Sequence, residues 1–246
     1  LLALCWAKIS RLTLLLHWRE QRISHLLTHD LLTTLRNRES FYRQGEQLLS
    51  RQSSTPGDAK VALVSVCIDN LKSIKSEFGH AAVDELLLQI AHRLQACVVA
   101  ECRSSDFPQS APNVLLAKVG TDEFALVVAP TAGPSAGPES EPIETDSMIE
   151  RLTQHILNSI HQSFFIQPHT IHVVARGGIA WSTHETTHKR DINKLLLQAS
   201  TAANTVKPQP QSVDCYPRNS LKRYAVFHPA MEAARLSQLQ LRQALA

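Results

Sequence analysis

Val114-Leu115-Leu116-Ala117-Lys118-Val119 and Glu123-Phe124-Ala125-Leu126-Val127-Val128 are two apolar runs separated only by Gly120-Thr121-Asp122. Each run has strand length, and the three residues between them carry a Gly and an Asp, so the stretch predicts a β-hairpin with a tight tip. Upstream, residues 61–68 form a continuous apolar, β-branched run that reads as a buried central strand.

Outward from these strands the chain alternates helical and extended patterns. Residues 1–29 lack Gly and Pro and space Leu4, Ile9, Leu12, Leu16, Ile23, Leu26 and Leu27 at helical intervals, which predicts an amphipathic helix. It either packs on its own domain or pairs with a partner chain. A second helical run is expected over residues 31–49, a turn and short helix over 69–78, and a strongly periodic helix over 81–100. Further helices are expected over 147–163 and over 191–207, the last capped by Asp191. Residues 164–166 and 171–181 read as strands around a Pro168-His169 turn, and residues 224–227 as a closing strand before a helical tail over 231–246. The stretch 130–146 is rich in Pro, Gly, Ser and Glu and reads as a flexible surface insertion. This order implies an α/β (α+β) chain with a mixed central β-sheet flanked by helices.

Composition narrows the classes. With 246 residues, 43% of them hydrophobic, the chain can bury one sizeable core. A formal charge of +3, with both signs spread throughout, gives no basic block of the kind nucleic acid requires. The 12 His are scattered without metal-type spacing, and the 5 Cys form no disulfide framework, which fits a reduced, cytoplasmic setting. The apolar start, residues 1–16, is interrupted by Lys8, Ser10 and Arg11 and is too short for a membrane span. It opens without Met, so the chain reads as a piece of a longer protein that a membrane anchor could precede.

The hairpin tip carries the chemistry. Acids on a rigid, exposed turn can hold Mg²⁺, and Mg²⁺ can bridge nucleotide phosphates. Asp at such a tip is equally an ordinary turn former. Other segments bear on the choice. His29-Asp30-Leu31-Leu32-Thr33-Thr34-Leu35-Arg36-Asn37-Arg38-Glu39-Ser40-Phe41 resembles the opening D-x-L-T-G-L-x-N-R-x-x-F of GGDEF domains. The run from Ile68-Asp69-Asn70-Leu71-Lys72 through Phe78-Gly79-His80 to Asp84 is similar to that family's D-x-D-x-F-K-x-I-N-D-x-x-G-H-x-x-G-D. Lys118-Val119-Gly120-Thr121-Asp122-Glu123-Phe124 resembles R-x-G-G-D-E-F. Gly178-Ile179-Ala180 and the helix up to Lys207 resemble the later S-x-G-I-A and L-L-x-x-A-D-x-A-M-Y-x-A-K. The likeness runs from about residue 26 to 228, with the motifs in order.

The resemblance implies the nucleotidyl-cyclase (palm-like) GGDEF fold over residues 30–228, preceded by a signalling helix over 1–29. It also implies a chemistry: two such domains face each other and join two GTP into cyclic di-GMP with the help of Mg²⁺ or Mn²⁺. Carried over position by position, the metal site would take Asp122, the carbonyl of Ile68 and the first acid of D-x-D, where this chain has Cys67. A thiol is a poor ligand for a hard cation. Asp69 falls on the second acid of D-x-D and is expected to face away from Cys67. The base-reading pair falls on Lys75, where the family has Asn, and on Asp84. Lysine offers only donors where Asn offers both roles. Thr121 replaces the second Gly of the motif and is expected to crowd the nucleotide. Gly120, Glu123, Phe124 and Lys72 are kept, and Lys207 matches the late phosphate-contacting Lys; the basic residue expected four positions on falls on Gln211. The plain reading of each retained charge is a solvated surface group; together they read as a vestigial nucleotide site. Arg103-Ser104-Ser105-Asp106 has the form of the family's R-x-x-D inhibitory site for cyclic di-GMP, with Arg103 and Asp106 at its ends.

Residues 229–246, with Phe227-His228-Pro229-Ala230-Met231 and Leu241-Arg242-Gln243-Ala244-Leu245, resemble the connector to a following EAL phosphodiesterase domain. Three readings follow from the resemblance and the residues together: a degenerate, regulatory GGDEF domain; a working cyclase with an altered metal site; and a protein-binding module that dimerises through its helices. The partners implied are GTP or cyclic di-GMP, a second copy through the N-terminal helix, and a downstream EAL domain.

Overall fold

The computed structural model describes residues 25–53, 60–102, 113–129, 145–182, 191–206 and 223–244. Its elements in chain order are α1 (Arg38–Ser53), β1 (Ala62–Ile68), α2 (Leu71–Cys102), β2 (Asn113–Lys118), β3 (Glu123–Ala129), α3 (Thr145–Ile160), β4 (Phe164–Ile166), β5 (His169–Ile171), β6 (Ala175–Trp181), α4 (Ile192–Thr205), β7 (Tyr224–Val226) and α5 (Pro229–Ala244). Five strands form one sheet in the order β2-β3-β1-β6-β7, antiparallel except for the β6–β7 pair, and β4–β5 make a separate small hairpin. The mixed sheet flanked by helices that the sequence implied is therefore present.

Strand alternation divides the core into two layers. Ala62, Val64, Val66 and Ile68 point to one face, where they meet Leu86, Ile90 and Leu94 of α2 and Ile149, Leu152 and Ile156 of α3. Leu63 of β1, with Ala125 and Val127 of β3, points to the other, toward Phe41 and Leu49 of α1 and Leu195 and Ala199 of α4. Gly178 sets how closely α4 approaches: a Cβ there would lie 2.0 Å from the Ala199 carbonyl oxygen and 2.5 Å from Ala203 N.

Helix ends shift by a few residues and His169, expected in the turn, opens β5; three larger departures have a visible cause. The helix expected from residue 31 begins at Arg38. Asp30 Oδ1 accepts from Thr33 N (2.8 Å) and Thr33 Oγ1 (2.7 Å), which bends residues 30–33 into a turn, and Thr34 follows with φ +58°. Asn37 then caps the true start by accepting from Ser40 N at 2.9 Å. The strand expected over 171–181 is broken at 172–174, because Asn70 donates to the His172 carbonyl at 2.8 Å and accepts from Val174 N at 3.0 Å. The short helix and the long helix expected over 69–100 form one element, α2, kinked where Gly79 takes φ +83°, a conformation that favours Gly. The Asp191 cap is present, accepting from Asn193 N at 2.7 Å.

Residues 1–24 and 130–144 lie outside the described residues, so the amphipathic helix is seen only in its last turn, 25–28, and of the expected insertion only residues 145 and 146, which open α3 instead of continuing a loop. Among the described residues no helix is long and apolar enough to cross a membrane.

Candidate nucleotide site at the hairpin tip

The β2–β3 hairpin turns at Gly120-Thr121-Asp122. Val119 N and Gly120 N both donate to the Glu123 carbonyl, at 3.0 and 3.1 Å, which closes the tip. Ile68 N donates to the Asp122 carbonyl at 2.8 Å, so the tip is also tied to the end of β1. Thr121 and Asp122 are exposed, and the Thr121 hydroxyl donates to Asp122 Oδ1 at 3.3 Å. Thr121 does not have positive φ, so the tip accepts a β-branched residue without backbone strain.

Cys67 lies at this end of the sheet, opposite Glu123 on β3 and opposite Arg176 on β6. Burial pushes its thiol up to about 11, and the neighbouring Glu123 carboxylate adds to the shift. At neutral pH the sulfur is therefore an S–H group, not a thiolate.

Glu123 is held by hydroxyls. Ser65 Oγ, two residues before Cys67 on β1, donates to Glu123 Oε1 at 2.7 Å, and Ser200 Oγ of α4 donates to the same oxygen at 2.5 Å. Neither serine entered the sequence reading. A signal was available for Ser200: it stands where the pattern L-L-x-x-A-D-x-A-M-Y has its acid, after Leu195-Leu196 and Ala199. Ser65 could have been found by counting two back from Cys67 to the same strand face.

Asp69 corrects an expectation. It pairs with Arg176, whose Nε lies 2.7 and 2.8 Å from its two carboxylate oxygens and whose Nη2 lies 2.6 Å from Oδ1. Arg176 faces Cys67 across the β1–β6 pair, so Asp69 shares the Cys67 side instead of facing away, as residues two apart on an extended chain must. Arg176 Nη1 also donates to the carbonyls of Ala203 and Val206, at 3.3 and 3.2 Å, and so caps the C-terminal end of α4.

The structure thus gathers Cys67, Ile68, Asp122 and Glu123 at one end of the sheet. Phe124, the last residue of the motif, is buried in the α2–α3 layer. Lys72 and Lys75 are exposed in the first turns of α2, which leave that same end, and Asp84 is exposed beyond the Gly79 kink. Lys207, Arg103 and Asp106 fall outside the described residues. Among the described residues no three His, Cys, Asp or Glu side chains are grouped to hold a metal ion.

Before this end of the sheet, Lys118 Nζ pairs with Asp30 Oδ2 at 3.3 Å, and Lys118 N donates to the Arg36 carbonyl at 2.9 Å. The opening motif is thereby laid against the outer strand of the hairpin. Burial alone would raise the Asp30 carboxyl; the hydrogen bonds from Thr33 and the charge of Lys118 overcome it and hold the group below its ordinary value.

Comparison with known proteins fits this geometry. MucR of Pseudomonas aeruginosa, a bifunctional diguanylate cyclase/cyclic di-GMP phosphodiesterase, is 27% identical over 245 residues, which are 97% of this chain and 30% of MucR. MbaA of Vibrio cholerae, a biofilm architecture maintenance protein, is 30% identical over 193 residues, 78% of this chain and 22% of MbaA. The chain thus spans less than a third of the length of these relatives. Among solved structures, the GGDEF domain of TpbB (YfiN) from Pseudomonas aeruginosa matches 85% of this chain and 99% of its own with a TM-score of 0.59 and 24% identity, which shows the fold. The family model described as the diguanylate cyclase GGDEF domain matches residues 27–212, the span that holds the hairpin, the kinked α2 and α4 together, and on that match the chain belongs to the GGDEF family.

Proposed function

We propose that this domain is a regulatory unit of cyclic di-GMP signalling whose own cyclase chemistry is impaired. The observation that carries the reading is Cys67. It stands where the family pattern has the first acid of D-x-D, and its thiol is held protonated by burial and by Glu123. A divalent cation such as Mg²⁺ or Mn²⁺ takes oxygen ligands, and an S–H group offers none. Of the remaining candidates, one Glu123 oxygen already accepts two hydroxyls. That leaves the exposed Asp122, the second Glu123 oxygen and the Ile68 carbonyl, and without the first acid of D-x-D this set lacks the carboxylate that would face Asp122 across a cation bridging phosphates. These residues do not fit the metal the family uses. Lys75 in place of a base-reading Asn weakens guanine selection further. Lys72, Asp84 and Lys207 keep the character of a nucleotide site, so weak GTP binding through them is consistent with lost turnover.

In this reading the domain relays a signal from residues 1–29, which pair with a second copy, to whatever follows α5. The exposed first turns of α5 and the match to MucR along 97% of this chain support a downstream EAL domain. Cyclic di-GMP would bind at Arg103 and Asp106.

The test is incubation of the purified protein with GTP and MgCl₂ or MnCl₂, with product measured by mass spectrometry. The expected result is no cyclic di-GMP above the level of the Asp122→Ala variant. Robust product that Asp122→Ala abolishes overturns the reading in favour of a working cyclase. Micromolar GTP binding that depends on Asp84 would retain a nucleotide role; no GTP binding at all would leave a protein-binding module.

A further inference from the structure

Glu123 opens β3 on the α4 side of the sheet, and its Oε1 receives two hydroxyl protons from two different elements, Ser65 of β1 and Ser200 of α4. A serine has one proton to give. Ser65, fully buried, has committed its proton to Glu123, so the Cys67 thiol 3.7 Å away is the donor to Ser65 Oγ. The result is a directed chain from Cys67 S–H to Ser65 O–H to the Glu123 carboxylate, with Ser200 O–H arriving from the opposite side. Hydroxyl-to-carboxylate bonds of 2.5–2.7 Å are the strong, charge-assisted kind. The carboxylate is thereby stabilised without a counter-cation, and its backbone carbonyl is the acceptor that closes the tip.

We propose that Glu123 is a metal-independent clamp that fixes the hairpin tip to β1 and α4, with Ser200 as its positioning partner. The inference rests on the reading of an impaired site and deepens it: the positions around Glu123 hold the tip in shape with no cation present. Cys67 supplies the far end of the chain, which explains why a protonated thiol serves there where a carboxylate would repel Glu123.

Hydrogen exchange at the Ile68, Val119 and Gly120 amides reads the tip directly, because those N–H groups bond to Asp122 and Glu123 carbonyls. It is measured in EDTA and in millimolar MgCl₂, on the wild type and on Ser200→Ala, with circular dichroism to check the fold. Alanine is favourable at that helical position, so the variant keeps α4. The expected result is equal tip protection in EDTA and MgCl₂ for the wild type. In Ser200→Ala the tip exchanges roughly tenfold faster or more, as loss of a hydrogen bond to a charged group implies, while the Val64 amide in the sheet centre is unchanged. Tip protection that rises with MgCl₂ in the wild type overturns the proposal, as does a Ser200→Ala tip indistinguishable from wild type. Product formation from GTP is a separate readout: a wild type that makes cyclic di-GMP yet shows a Ser200-dependent, Mg²⁺-insensitive tip would refute the impaired-site reading and leave the clamp standing.

Discussion

Thr34 is a β-branched residue at φ +58°. In the left-handed region the Cβ crowds the following carbonyl, at a cost of about 1–2 kcal/mol for an L-residue, and a β-branched side chain is among the least suited to it. The family pattern D-x-L-T-G-L has Gly at this position. The Thr34 side chain is exposed, so its removal forfeits no packing, and the Thr34 N–H that donates to the Asp30 carbonyl at 2.9 Å survives in any substitution but Pro. Thr34→Gly therefore relieves the strain, offset by about 0.4–1 kcal/mol for the greater freedom of Gly in the unfolded chain. The net is a stabilisation of about 1 kcal/mol. For a domain of this size that raises the melting temperature by about 2–4 °C, and with a urea slope of about 2 kcal/mol/M it moves the midpoint up by about 0.5 M. Thr34→Ala is the control: it keeps a Cβ at positive φ and gains little. Urea unfolding followed by circular dichroism measures all three proteins. A Thr34→Gly midpoint at or below wild type would refute the reasoning, and so would an equal gain from Thr34→Ala, since the strain would then not lie in the backbone.

Cys67 resists alkylation: a thiol at about 11 is about one-thousandth thiolate at pH 8, so mass-spectrometric mapping of iodoacetamide labelling finds it roughly a hundredfold slower than an ordinary thiol. Comparable labelling of Cys67 in the folded protein removes the case for a protonated site. Arg176→Met leaves Asp69 unpaired behind side chains only 17% and 16% exposed and uncaps α4; the expected loss is about 2–3 kcal/mol by urea unfolding. Adding Asp69→Asn restores part of it, and a double variant as unstable as the single one would point to the α4 cap instead of the ion pair. His161 is held down at about 4, first by burial and then by Arg223, against an ordinary value of 6.5. The unfolded chain takes up this proton at higher pH than the folded one, so this contribution is intact above about 6.5 and is lost as pH falls toward 4. With screening of the partly open ring the loss is about 2 kcal/mol, and a His161→Gln variant whose stability falls just as steeply between pH 7 and 4.5 would show that the drop arises elsewhere.

The strands, their hairpin and the Asp191 cap were legible because each rests on local chemistry. A run such as Val61–Ile68 has few alternatives to a buried strand, and a Gly-x-Asp between two such runs has few alternatives to a tip. What failed to show was decided at a distance or by geometry that spacing does not carry. Leu31, Leu32 and Leu35 have helical spacing, yet Asp30 pulls Thr33 into a turn and Thr34 turns the chain left-handed before Asn37 caps the true helix. The break before β6 is made by Asn70, whose amide reaches His172 and Val174 about a hundred positions on. Asp69 was expected to face away from Cys67 by strand alternation, yet residues two apart on an extended chain share a side, and Arg176 takes it up there.

The same distinction governs the site. Asp122 and Glu123 survive in the sequence, and a motif reading scores them as retained. What a carboxylate can do is set by the groups already bonded to it. Asp69 is paired with Arg176, and one oxygen of Glu123 is taken up by two donating hydroxyls. Asp122 projects from the tip and, among the described residues, accepts from the adjacent Thr121 hydroxyl at 3.3 Å. Substitutions that look independent in the sequence, Cys67 on β1 and Ser200 on α4, converge on Glu123 in space. Both put a neutral donor where the family pattern has an acid: Ser200 donates to the carboxylate directly, and Cys67 donates to Ser65, whose own proton goes to Glu123. Loss of the metal acid and retention of Glu123 are then not in conflict. Once the surrounding positions donate instead of repel, keeping Glu123 stabilises the tip, and the fold has a physical reason to preserve the residue that does not depend on turnover.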